Sequence, residues 1–148
     1  MTRLLRTLRR NERGAVAIET AIVTPVLLLM SLAAFETSMM YARQMDLQNA
    51  AAEASQIALA AAPTDAVARA TVKGVIVAST GVADEDVRVL ERYRCDVQDD
   101  YVTDSAECTG HYARFIRIEI EDTYTPSWSK ITSLSPLNYN VVRMVQVG

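Results

Sequence analysis

Apolar residues fall into three regimes along the chain. From Ala15 to Phe35 they run almost unbroken, AVAIETAIVTPVLLLMSLAAF, with one charge in 21 residues. As a helix this segment spans about 31 Å, the thickness of a bilayer's hydrocarbon core. From Glu36 to Ala62 there is no Gly or Pro and helix formers dominate, so the spacing predicts one long helix over 15–62. Phe35, Met39, Ala42, Met45, Asn49, Ala52 and Gln56 recur at mixed three- and four-residue steps. Leu47, Ala50, Ala51, Ala54, Ile57 and Ala58 form a stripe of mostly small residues. Small side chains let a second surface approach closely, either the protein's own head or a neighbouring subunit, and periodicity leaves both readings open.

Beyond Ala62 the pattern changes. Pro63, Thr64 and Asp65 read as a break and an N-cap, and Ala66 to Thr80 as a second helix ended by Gly81. Val67, Ala70, Val72, Val75, Ile76 and Val77 offer its apolar surface. Three runs then alternate with period two: Asp86 to Arg94, Tyr112 to Glu121, and Asn138 to Val147. Ile116, Ile118 and Ile120 share one face of the middle run, and Tyr139, Val141, Arg143, Val145 and Val147 one face of the last. The expected architecture is α+β: a transmembrane helix continuing into a small head with a second helix and a three-stranded antiparallel sheet. Three regions follow: a basic leader over 1–14, the membrane and extended helix over 15–62, and the α+β head over 63–148.

Charge orients this plan. The net charge of −3 conceals a leader of +4, from Arg3, Arg6, Arg9, Arg10 and Arg13 against Glu12, and a remainder of −7. Arginines on the N-terminal flank place Met1 in the cytoplasm and the head outside, in a single pass of the membrane. An acidic body argues against a nucleic-acid partner. Cys95 and Cys108 flank a turn-rich acidic stretch in the exported half. The simplest reading is a disulfide, which by the chain-entropy model stabilises the fold by about 3 kcal/mol; unpaired thiols are the alternative. One His and no CxxC spacing leave too few soft ligands for a metal, and no cofactor is implied.

Glu19 needs a reason, because a carboxylate in an apolar helix is penalised by up to a few kcal/mol near the bilayer centre. It is either an edge charge reaching the headgroups or a functional group. Pro25, in mid-helix, removes one backbone donor, which membrane helices tolerate where neighbours such as Thr24 or Ser31 compensate.

The stretch RRNERGAVAIE joins a charged leader ending in Gly14 to an apolar helix with Glu19 as its fifth residue, and so resembles a prepilin peptidase site. The ordered set Gly14, Glu19, Pro25, Leu27 to Leu29 and Glu36, followed by LQNAAAEASQIALA, resembles the TadE-like proteins of the tight-adherence (Tad/Flp) pilus system over roughly the first 60 residues. The family typically has Phe directly after the first Glu, where this chain has Thr20. The resemblance implies a minor pilin or pseudopilin, cut between Gly14 and Ala15 by a membrane prepilin peptidase. Its other partners would be pilin-like subunits, the pilus assembly machinery and the membrane. Glu19 would pair with the new Ala15 ammonium of a neighbouring subunit, with Pro25 and Glu36 completing the assembly segment.

In the head, Tyr124, Pro126 and Trp128 form an aromatic loop, read either as an interface or as the closure of a small core. His111 is the only imidazole, and no phosphate loop, nucleophile elbow or zinc motif accompanies it, so neither an enzyme nor a small-molecule substrate is expected. Two rival readings stay open: an uncleaved membrane-tethered envelope module, and a secreted binding protein whose signal peptide is cut near Ala33.

Overall fold

A computed structural model of the chain describes residues 12–96, 100–127, 129 and 135–147. The leader up to residue 11 and Trp128 lie outside the described residues. The chain divides into two compact units, Met1–Met39 and Met40–Gly148.

Helix α1, Glu12–Ala61, is 50 residues long and continues through Pro25. In the first unit its apolar side chains are exposed: Ile18, Ile22, Met30 and Phe35 are all about two-thirds accessible. The hydroxyls of Thr20, Ser31 and Thr37 donate to the carbonyls of Val16, Leu27 and Ala33, so each is satisfied within the helix. Ser31 thus serves Leu27 and not the carbonyl of Ala21, which Pro25 leaves without its donor.

The second unit is the head. Helix α2, Ala66–Thr80, begins where the Asp65 carboxylate accepts from the Ala68 N–H and ends at Gly81 (φ 68°), whose N–H returns to the Val77 carbonyl. Four strands follow: β1 Val87–Cys95, β2 Tyr101–Val102, β3 Tyr112–Tyr124 and β4 Leu137–Gln146. They form one antiparallel sheet in the order β2-β1-β3-β4. The expected three strands become four because the disulfide loop folds back and lays two residues beside β1, pairing Tyr93 with Val102 and Arg94 with Tyr101. A two-residue strand is too short to carry a legible alternation.

One face of the sheet is the core. Val87, Ile116, Ile118, Ile120, Tyr139 and Val141 meet Leu47, Ala50, Ala51, Ala54 and Ala58 of α1 and Val72 and Ile76 of α2. The small-residue stripe therefore packs under the protein's own head, with Ile57 at its margin. The other stripe is left out: Phe35, Met39, Ala42, Met45, Asn49 and Gln56 are exposed. In α2 the core side is narrower than its apolar composition implies, since Val67, Ala70 and Val75 face outward. Their positions lie off the stripe of Val72 and Ile76 at 100° per residue.

Candidate functional site

The predicted assembly residues occupy one continuous helix. Gly14 and Glu19 are exposed on α1, five residues or about 7.5 Å apart along the axis. Pro25 lies further along, and Glu36 is half-exposed near the end of the first unit. No ion pair among the described residues includes Glu19. The most apolar stretch of this helix is entirely unburied, long enough to cross a bilayer, and close to the N-terminus, which makes it a candidate membrane anchor. A carboxylate on such a surface needs a cation, a proton or the headgroup layer.

In the head, a polar latch at the start of its share of α1 was not foreseen from sequence. The Arg43 guanidinium holds Asp122 of β3 at 2.7 Å and donates to the carbonyl of Thr80, the last residue of α2, at 2.8 Å. A cation at a helix C-terminus also meets the negative end of the helix dipole. Beside it, the buried Tyr139 hydroxyl donates to the Met40 carbonyl at 2.9 Å. Burial raises the Tyr139 pKa above 10.0, the Asp122 charge adds to the rise, and Arg43 opposes it. Arg43, Asp122 and Tyr139 thereby join α1, α2, β3 and β4 within one unit.

A second polar group lies on the core face of the sheet near its other end. Glu91 takes Arg69 of α2 on one oxygen and Arg114 of β3 on the other, each at 3.1 Å. Arg69 also donates to the Thr64 carbonyl at 2.8 Å, fixing the turn after α1. The Arg114 guanidinium stands 6.0 Å over the Tyr93 ring, which meets Tyr112 edge-on. The Tyr93 pKa is raised, first by burial and then by its hydrogen bond to Glu91.

Cys95 and Cys108 form the expected disulfide, with Cα atoms 5.3 Å apart. The loop it closes is acidic in sequence and its described residues are mostly exposed, with an Asp104 side chain that caps the short turn Ser105–Glu107 through the Ala106 N–H. His111 is exposed beside β3, and its backbone carbonyl accepts from the Asp96 N–H at 3.2 Å. Of the proposed interface loop, Tyr124 is half-buried at the end of β3 and Pro126 is buried.

Comparison with curated proteins and with solved structures gives no match. A family model described as TadE-like protein matches residues 14–56. This is less than a third of the chain. The match begins at Gly14 and takes in Glu19, Pro25, Glu36 and the Ala-rich stripe as far as Gln56. Residues 14–56, the apolar helix and much of the part of it that packs beneath the head, are therefore similar to the TadE-like family.

Proposed function

We propose that the chain is a minor-pilin-like or pseudopilin subunit that works in biogenesis of a Tad-type adhesive pilus. The observation that carries this reading is the TadE-like match starting at Gly14, on a helix whose apolar side chains are exposed throughout its first unit. The match supports a structural, Tad pilus-associated protein, not an enzyme. In the proposed pathway the leader, residues 1–14, stays in the cytoplasm. Prepilin peptidase cuts the Gly14–Ala15 bond, the helix from Ala15 holds the product in the inner membrane, and the head faces the periplasm before any incorporation into an extracellular fibre. Glu19 then has a cation to pair with, the Ala15 ammonium of a neighbouring subunit, and each charge offsets the other's desolvation in lipid. Pro25 and Glu36 belong to the same helix surface and take part in subunit packing.

The N-terminus and intact mass of protein isolated from membranes of a cell with its native peptidases test this directly. A chain beginning at Ala15 supports the reading. One retaining Met1 reduces it to a membrane tether, and one beginning near Phe35 to a secreted binding protein. Gly14→Ala should slow or block the mass change. Glu19→Ala should leave cleavage intact and lower recovery of the protein in sheared pili; normal fibres from both variants would remove the mechanism.

A further inference from the structure

Strand β1 is open along most of its outer edge. Its inner side pairs with β3 over the whole strand, whereas β2 covers only Tyr93 and Arg94 on the outer side. The ladder fixes which backbone groups face outward. At its two ends the Asp96 N–H donates to the His111 carbonyl, across from β1 to β3, and the Val147 N–H donates to the Arg114 carbonyl, across from β4 to β3. In an antiparallel ladder the bonded positions alternate, so Arg88, Leu90 and Arg92 bond to β3, while Val87, Val89 and Glu91 turn their backbone outward. Two of these outward groups are taken. The Val87 N–H donates to the Asp84 carbonyl, and the Glu91 carbonyl accepts from the Arg92 guanidinium at 3.1 Å. The Val87 carbonyl, both groups of Val89 and the Glu91 N–H have no partner among the described residues.

Helix α2 stands over this edge. Between the two runs a groove of about 340 Å³, lined by Ala66, Arg69, Ala70 and Lys73 of α2 and by residues 87–90 of β1. Three of those side chains are cationic and none is acidic, on a chain whose net charge is −3. Arg69 is committed to Glu91. Lys73 reaches the exposed Asp84, and the half-exposed Arg88 meets Glu119 and Glu121 only at 3.8 and 3.4 Å, so both keep donors for a further carboxylate. Ala66 and Ala70, one helical turn apart and both exposed, leave room between themselves and the edge.

We propose that this groove binds an extended acidic segment of another protein, which adds antiparallel to the outer edge of β1 beneath α2. The residue opposite Val89 exchanges two backbone hydrogen bonds with it. The residues two positions to either side take the Val87 carbonyl and the Glu91 N–H, so all four open groups are satisfied by a five-residue stretch. The central residue carries a large apolar side chain, which enters the space beside Ala66 and Ala70. Carboxylates at the next two positions meet Arg88 on one face of the strand and Lys73 on the other. A second copy joined through its own β1 does not fit here. Its α2 would stand about 5 Å from this one, the spacing of neighbouring strands, where packed helices need about 8–10 Å. This inference does not rest on the pilus reading: its failure would leave that reading untouched, and the reverse.

The test uses the full chain in detergent micelles and a fluorescein-labelled nonapeptide of alternating threonine and valine, with phenylalanine at its centre and aspartate at the two following positions. Fluorescence anisotropy should show saturable binding, and amide hydrogen exchange read by NMR should slow at Val89 and Glu91 when the peptide is bound. Lysine in place of the two aspartates, or N-methylation of the central phenylalanine, should weaken binding about tenfold or more. Val89→Pro removes an outward donor and no bond to β3, and Ala70→Glu fills the groove from an exposed helical position; each should weaken binding as much. Because Ala70 lies outside the strand, the two variants with their urea midpoints separate loss of the groove from loss of the fold. No saturable binding at millimolar peptide, binding indifferent to the lysine or N-methyl changes, or slowed exchange away from the β1 edge overturns the proposal. So does protection of Val89 that appears without peptide and grows with protein concentration, which would assign the edge to a second copy.

Discussion

Arg43 and Tyr139 act at a distance that no local pattern reveals. Arg43 pairs with a residue 79 positions away, and Tyr139 with a carbonyl 99 positions away. No pattern in the sequence singles out Arg43, and Tyr139 reads only as a position on one face of the last strand. Alternation placed the ring; nothing in it specified a carbonyl for the hydroxyl. Tyr139→Phe should destabilise the head by about 1 kcal/mol, the net worth of one neutral hydrogen bond. The same variant has a signature in pH. The fold raises the Tyr139 pKa above 10.0, so the neutral phenol is the form that the native state favours. Its contribution is complete below that value and is lost as pH rises through the folded pKa. Denaturant melts of wild type should weaken from about pH 10 upward, and Tyr139→Phe should flatten that fall. Glu19 and Gly14 stand out in the sequence for the opposite reason: one carboxylate within an apolar run and one glycine at its edge are conspicuous whatever the fold around them.

Helices are the elements that composition and caps describe well. Asp65, Gly81 and the span between them were readable because an N-cap carboxylate and a C-terminal glycine act on neighbouring backbone. The two helix ends nevertheless differ. α2 stops at a glycine with φ 68°, whereas α1 is followed by Ala62 at φ 42°, a conformation that β-carbons disfavour. Gly81→Ala should lower stability by roughly 1 kcal/mol, and Ala62→Gly should be neutral or stabilising, read as midpoint shifts in urea. The strands were located to within a few residues, but β2 was missed because its pairing is set by a covalent loop and not by its own side chains. The stripe from Leu47 to Ala58 posed a different problem. Periodicity showed that one face of α1 meets a partner, and only the placement of Ile116, Ile118 and Ile120 against it identified that partner as the same chain.

For the molecule as a whole, the division into an unpacked apolar helix and a compact head was written in the regimes of hydropathy. The charge segregation within the head was not, because Arg88, Arg92, Arg94 and Arg117 gather on one surface only when β1 and β3 pair in their observed register. The core itself is modest, built from branched aliphatic residues packed against the alanines of α1, so the cross-link between Cys95 and Cys108 carries weight. Replacing both cysteines by serine should cost the head about 3 kcal/mol, measurable as a lower urea midpoint with an unchanged core fold. That bond also imposes an order of events. It closes only in an oxidising compartment, and until it closes nothing covalent holds Tyr101 and Val102 against β1. A head with free thiols therefore lacks the constraint that seats its shortest strand. Thiol chemistry thus serves as a clock for the head, setting the moment at which this edge of the sheet is finished.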